Sequence, residues 1–69
     1  MELKASMAGS VWKVNVAQGD TVNEGQDVII LESMKMEIPI PAEKSGTLEI
    51  LNVAEGDFVN EGDVLAVIE

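Results

Sequence analysis

An internal repeat constrains the fold more than any other feature of this sequence. Residues 9–32, GSVWKVNVAQGDTVNEGQDVIILE, align without gaps on residues 46–69, GTLEILNVAEGDFVNEGDVLAVIE, at an offset of 37. Eleven of the 24 aligned positions are identical. Two units are too few for a solenoid, which needs at least three stacked repeats. The repeat therefore predicts one domain, residues 1–69, made of two half-domains that are related by a pseudo-twofold axis and cover each other's apolar face.

Each repeat has the pattern of short strands separated by tight turns. An alternating segment comes first, with Val14 and Val16 in the first repeat. The turns QGD or EGD, and then NEG, each supply a glycine that can adopt a positive φ. An apolar run, VIIL or VLAVI, ends the repeat and is too short for a typical helix. We predict an all-β fold of seven to eight short strands, a flattened β-barrel or sandwich of two antiparallel sheets with internal pseudo-twofold symmetry.

The composition excludes several kinds of chemistry. The chain has no cysteine and no histidine, and its four basic residues are all lysines. Thiolate nucleophiles, the usual zinc ligands and arginine clamps are therefore missing, so we expect no metal site and no catalytic residue. The net charge of −9 argues against nucleic-acid and anionic membrane partners. The sequence shows no membrane span and no secretory signal pattern, so the cytoplasm is the expected location.

The segment between the repeats predicts a β-hairpin. A two-residue turn at Met34 and Lys35 would place Glu32 opposite Glu37, with the tip at residues 33–36. A shift by one residue would bury the glutamates, so the register follows from the pattern alone. This register places one set of side chains on the core face and another set on the outer face. The core-face set is Ile29, Leu31, Met36, Ile38 and Ile40, and the outer-face set is Val28, Ile30, Glu32, Glu37 and Pro39.

The tip of this hairpin breaks local rules, which indicates a functional site. Tight turns favour Asn-Gly because the central residues need positive φ, and Met34 and Lys35 cost about 1 kcal/mol each there. Glu32 and Glu37 form a mildly unfavourable like-charge pair. A lysine at the end of a rigid hairpin suits covalent modification, in which its amine must lose a proton before it attacks an acyl group. Because only glutamates lie nearby as bases, the activation must come from a separate enzyme.

The stretch ESMKMEIPIPAEKSG, residues 32–46, resembles the attachment hairpin of the biotinyl/lipoyl attachment domain family. The resemblance extends over the whole chain and is closest to biotin carboxyl carrier domains and small free-standing biotin/lipoyl attachment proteins. Biotinyl domains resemble this chain in having Met-Lys-Met preceded by glutamate. Lipoyl domains usually have aspartate before the lysine and alanine after it. Ser33 departs from the alanine that is usual before Met-Lys-Met.

The resemblance implies a carrier rather than an enzyme. A biotin protein ligase would attach biotin to Lys35, and the biotin would carry a carboxyl group from a biotin carboxylase to a carboxyltransferase. The ligase is expected to recognise Glu32 and Met34, and Met34 and Met36 are expected to border the cofactor. The hairpin register places Met36 on the core face, where we expect packing, and Met34 on the exposed turn.

Two alternatives remain open. The first is a lipoyl carrier, or an acceptor of both cofactors, in an oxo-acid dehydrogenase or glycine cleavage system. The second is a purely structural module, like the related domains of membrane-fusion adaptors. Those domains are interrupted by a long helical hairpin at the lysine position, and this sequence has no such insertion.

Overall fold

The computed structural model describes all residues, 1–69, and consists of eight β-strands and no helix. The all-β prediction of seven to eight short strands is confirmed. The protein contains no helix that could span a membrane. The strands are β1 (Glu2–Lys4), β2 (Gly9–Val14), β3 (Thr21–Val22), β4 (Asp27–Ser33), β5 (Met36–Pro41), β6 (Gly46–Leu51), β7 (Phe58–Val59) and β8 (Val64–Ile68).

The strands form two four-stranded antiparallel sheets that repeat the same order. One sheet has the order β1-β8-β6-β3 and the other β5-β4-β2-β7. The repeat offset of 37 residues relates the two strand orders, because it places β2 on β6, β3 on β7 and β4 on β8. The short strands are exchanged between the repeats, since β3 pairs with β6 and β7 pairs with β2. The two halves are therefore interlocked, and the predicted pseudo-twofold symmetry is confirmed.

Residues that are identical in the two repeats make the same turns. Asp20 and Asp57 each accept a hydrogen bond at 2.9 Å from the N–H three residues earlier. Gly19 and Gly56 precede them with φ of 97° and 96°. A side chain at either glycine would be strained by this left-handed backbone. The aspartate caps the turn and the glycine permits it, which explains why both repeats contain GD.

The core lies between the two sheets and contains only apolar residues. It receives side chains from both halves, and no polar side chain is buried in it. Because each sheet alone would expose its apolar face, the halves depend on each other for burial. The core consists of Leu3, Ala5, Val11, Val16, Val22, Val28, Ile29, Leu31, Ile40, Ala42, Leu48, Val59, Leu65, Ala66 and Ile68.

The prediction for Val28 is wrong. Strict alternation placed it on the outer face, yet both Val28 and Ile29 are fully buried. The pairing of β4 with β5 shifts between Asp27 and Ile29, which interrupts the alternation. Such a bulge lets two consecutive side chains enter the same face. Ile30, on the outer face as predicted, is half-buried.

Candidate functional site

Met34 and Lys35 form the turn between β4 and β5. Ser33 pairs with Met36 and Glu32 with Glu37, so the predicted register is confirmed. Met34 has a φ of 52° and Lys35 a φ of 64°, and they are the only non-glycine residues with positive φ. Two successive left-handed residues are the signature of a type I′ turn, which matches the twist of the flanking strands. The turn therefore holds two side chains in a backbone conformation that they disfavour.

The hairpin that carries this turn has a stiff base. Its first strand, β4, lies inside the sheet and pairs with β5 on one side and β2 on the other. Leu31 and Ile29 anchor β4 with fully buried side chains, and Ile40 anchors β5. Since the anchors begin four residues before Lys35, little of the hairpin is free to move independently of the core.

The side chains at the tip project into solvent. Met34 is 92% exposed and Lys35 is exposed as well. The exposure of Met34 is as predicted. The ammonium group of Lys35 makes no salt bridge, since the only ion pair of the protein joins Lys4 to Glu2. An amine in this position is accessible from several directions to an enzyme that modifies it.

The prediction that Met36 packs on the core is wrong. Its side chain is 65% exposed although it lies on the inner side of the hairpin by register. The apolar interior ends before it, because Ile38, two residues further along β5 and nearer to the core, is already only half-buried. The residue paired with Met36 is the small Ser33, which offers little surface to pack against. Both methionines beside Lys35 are therefore available to a partner or to a bound cofactor.

Glu32 lies on the outer face of the same sheet, close to the tip. It pairs with Glu37 on one side and with Ser10 on the other. Both glutamates are exposed, so solvent moderates their repulsion. The structure thus brings Glu32, Met34, Lys35 and Met36 together at one end of a single hairpin. No group of three or more acidic side chains is placed to hold a metal ion, and the surface has no pocket.

The sequence analysis assigned no functional role to two aromatic residues that are exposed on this sheet. Trp12 in β2 is 46% exposed and Phe58 in β7 is 68% exposed. The signal was present in the repeat alignment, where their counterparts are the polar Glu49 and Thr21. A large apolar residue aligned with a polar one in a symmetric fold indicates a surface position.

Known proteins with similar sequences agree with this geometry. The family described as "Biotin-requiring enzyme" matches residues 1–68. A biotin/lipoyl attachment protein of Bacillus subtilis is 58% identical over 45 residues, which are 65% of this chain and 62% of the relative. A protein of Mycolicibacterium smegmatis described as a biotinylated protein is 47% identical over 41 residues, 59% of this chain and 58% of the relative. The matches thus span less than two thirds of either relative.

A solved structure matches the whole fold. The urea carboxylase of Kluyveromyces lactis contains a segment that superposes on this chain with a TM-score of 0.93 and 40% sequence identity. The match covers 100% of this chain and 6% of that enzyme. A family match over nearly every residue and a relative with the same fold at 40% identity lead to one assignment. The chain belongs to the family of biotin-requiring enzymes, the biotin/lipoyl attachment domains.

Proposed function

We propose that this protein is a covalent biotin carrier and that Lys35 is the attachment residue. The observation that carries the proposal is the placement of Lys35: an unpaired amine at the exposed tip of a core-anchored hairpin, in a chain of the biotin-requiring family. Residues held in a disfavoured backbone conformation cluster at functional sites, which supports a role for both side chains of this turn. The exposed thioethers of Met34 and Met36 supply adaptable apolar surface on both sides of that amine.

The attachment step is an acyl transfer for which the chain supplies only the nucleophile. A biotin protein ligase would first convert the carboxyl group of biotin to an adenylate: its oxygen attacks the α-phosphorus of ATP and pyrophosphate leaves. Deprotonated Nζ of Lys35 would then attack the carbonyl carbon, an amide bond would form and AMP would leave with the bonding electrons. The ligase must accept the proton, since the structure has no basic group other than carboxylates beside Lys35.

The residues of the tip fit this cofactor. A secondary amide on an exposed lysine needs no pocket, and the neighbouring methionines can cover the apolar part of the attached chain. The ureido group of bound biotin supplies a nitrogen that takes up and releases a carboxyl group. The hairpin itself supplies reach and orientation, and tethering raises the local concentration of the cofactor at both reaction sites.

The partners follow from this assignment. The carrier would move between a biotin carboxylase site and a carboxyltransferase site, either on separate subunits or on one long chain. The similarity to a segment of a urea carboxylase supports such a role. The cytoplasm is the compartment that we propose, and the absence of cysteine in the sequence fits a reducing environment.

Lipoate attachment is the second candidate, favoured by the name of the Bacillus subtilis relative, a biotin/lipoyl attachment protein. The name of the Mycolicibacterium smegmatis relative, a biotinylated protein, favours biotin. The Met-Lys-Met sequence at the tip also resembles biotinyl rather than lipoyl domains. The uninterrupted hairpin speaks against a purely structural module.

Intact mass spectrometry tests the proposal. The protein is incubated with ATP and a purified bacterial biotin protein ligase plus biotin, or with a lipoate ligase plus lipoate. We expect the mass of one added biotinyl group and capture on streptavidin. Lys35→Arg should remove this addition, whereas Lys13→Arg, which changes another exposed strand lysine, should keep it. A lipoyl addition without a biotinyl addition would refute the assignment, and a biotinyl group on Lys35→Arg would move the site to another lysine.

A further inference from the structure

The two sheets of the protein differ in the aromatic residues on their outer surfaces. Trp12 and Phe58 are the only aromatic residues of the chain, and both are exposed. Their counterparts in the other half are Glu49 and Thr21. The backbone pairing is the same in both places, because Phe58 pairs with Ser10 as Thr21 pairs with Thr47. The fold therefore does not need the aromatic side chains, since the other sheet is built without them.

Both aromatic residues lie on the sheet that carries the Lys35 hairpin. A row of paired residues crosses the outer face of this sheet from Phe58 through Ser10 to Glu32. Two strand spacings separate the ends of this row by about 10 Å. Trp12 follows two residues after Ser10 on β2 and is also exposed. We call the surface formed by Ser10, Trp12, Glu32 and Phe58 the aromatic face.

The aromatic face has the character of a binding surface. Single exposed apolar residues are ordinary, but here every aromatic residue of the protein is diverted from the core to one side. Trp and other aromatic residues are enriched at interfaces and carry much of the binding energy there. The other sheet exposes one large apolar residue, Ile50, which is 42% exposed and aligns with Lys13. The two outer faces are thus distinct, and only one adjoins the modification site.

We propose that the aromatic face docks the enzyme that acylates Lys35, which under the proposed function is the biotin protein ligase. An unmodified lysine reaches only as far as its four-carbon stem allows. An enzyme that acts on Nζ must therefore cover the tip and the surface beside it. Carboxylase and carboxyltransferase sites act at the far end of the attached cofactor and have a longer reach, so they need less contact with this face.

The charge of the surface indicates the chemistry of the partner. Glu32 lies within the aromatic face, Glu37 pairs with it, and the whole chain carries a net charge of −9. Lys13 is the one positive residue of β2, and it follows Trp12 on the side away from the tip. The matching partner surface is an apolar recess bordered by lysine and arginine. A second copy of this chain does not match, because two strongly acidic surfaces repel each other.

The experiment compares ligase kinetics of the full chain and of variants that copy the other sheet. Phe58→Thr installs the residue of the repeat counterpart, and Trp12→Gln installs a neutral analogue of Glu49. Ile50→Thr on the other sheet is the matched control. With a purified bacterial biotin protein ligase, biotin and ATP, we expect the double variant to raise the KM for the acceptor about tenfold with kcat unchanged. The control should stay within about twofold of the unchanged protein.

Each result decides between the two proposals. If the unchanged protein accepts biotin and the double variant has the same KM, the docking surface is refuted while the carrier function stands. If the unchanged protein accepts no biotin, both proposals fail. Two further outcomes would refute the proposal by assigning the face to another partner. One is self-association of the unchanged protein that the double variant abolishes. The other is a defect that appears only when the already biotinylated variant is carboxylated.

A folding control keeps the test interpretable. Thermal unfolding of each variant is measured first, and kinetics are compared only below the transition. If the double variant does not fold, the kinetic comparison is replaced by amide hydrogen exchange of the unchanged protein, measured with and without ligase. Protection of residues 10–12 and 57–59 by the ligase supports the docking surface, and unchanged exchange there refutes it.

Discussion

The Cβ atom that Gly9 lacks would lie 2.7 Å from the carbonyl oxygen of Glu32. The backbones of β2 and β4 therefore touch three residues before Lys35, where any side chain on β2 would intrude. The repeat contains the same relationship, because a Cβ at Gly46 would clash with the carbonyl oxygen of Glu69. One contact supports the base of the Lys35 hairpin, and the other closes the opposite half.

Gly9→Ala and Gly46→Ala should both destabilise the fold by about 1–3 kcal/mol, because the backbone must move to admit a methyl group. Only Gly9→Ala should also slow biotin transfer, since it displaces β4 beside the tip. Chemical denaturation measures the first effect, and ligase kinetics at a temperature where both variants are folded measure the second. Equal transfer rates in the two variants would show that this contact does not position Lys35.

Met34→Asn should separate stability from function at the turn. Asparagine tolerates positive φ better than methionine, so we expect the free energy of unfolding to rise by about 0.5–1 kcal/mol. Biotin transfer should fall, because the exposed thioether beside Lys35 is lost. Urea denaturation and ligase kinetics on the same sample check both effects. A more stable variant with unchanged kinetics would remove Met34 from the recognition site.

Glu32 and Glu37 allow a matched test of ligase recognition. They face each other, so Glu32→Gln and Glu37→Gln relieve the same repulsion and should each stabilise the hairpin by about 0.3 kcal/mol. We expect only Glu32→Gln to reduce kcat/KM for biotin transfer, because Glu32 lies on the aromatic face whereas Glu37 lies on the edge strand β5. Equal kinetic losses in the two variants would indicate a general effect of charge instead of recognition of Glu32.

The hairpin register was predictable from sequence because two independent constraints agree. Alternation buries Leu31 and Ile40, and a shift by one residue would bury the glutamates. The turn then falls on Met34 and Lys35 whatever their own preferences, since the strands fix its length. Tertiary burial outweighs the local cost of about 1 kcal/mol per residue at the turn.

The burial of Val28 and the exposure of Met36 were not predictable in this way, for two different reasons. The burial of Val28 depends on a β-bulge, and the alternation of regular strands does not predict where a bulge occurs. The exposure of Met36 depends on how far the core extends beneath the hairpin, and the other sheet sets that extent. The exposure of Phe58 likewise follows from the exchange of β7 onto β2, a pairing between repeats that the alternation within each repeat does not reveal.

The double change Met34→Asp with Met36→Ala tests whether the residues beside Lys35 select the cofactor. Both side chains are exposed, so the substitution should cost little packing energy, and aspartate tolerates the left-handed backbone at position 34. The new tip resembles that of lipoyl domains, so biotin transfer should fall while lipoyl transfer rises. The protein is offered to both ligases with both cofactors, and intact mass gives the ratio of the two products. Lys35 and the core are unchanged and aspartate can adopt the backbone of the turn, so a changed ratio indicates recognition of the side chains beside Lys35. If biotinylation persists at its original rate, selectivity must lie farther from the tip, and the aromatic face becomes the next surface to exchange.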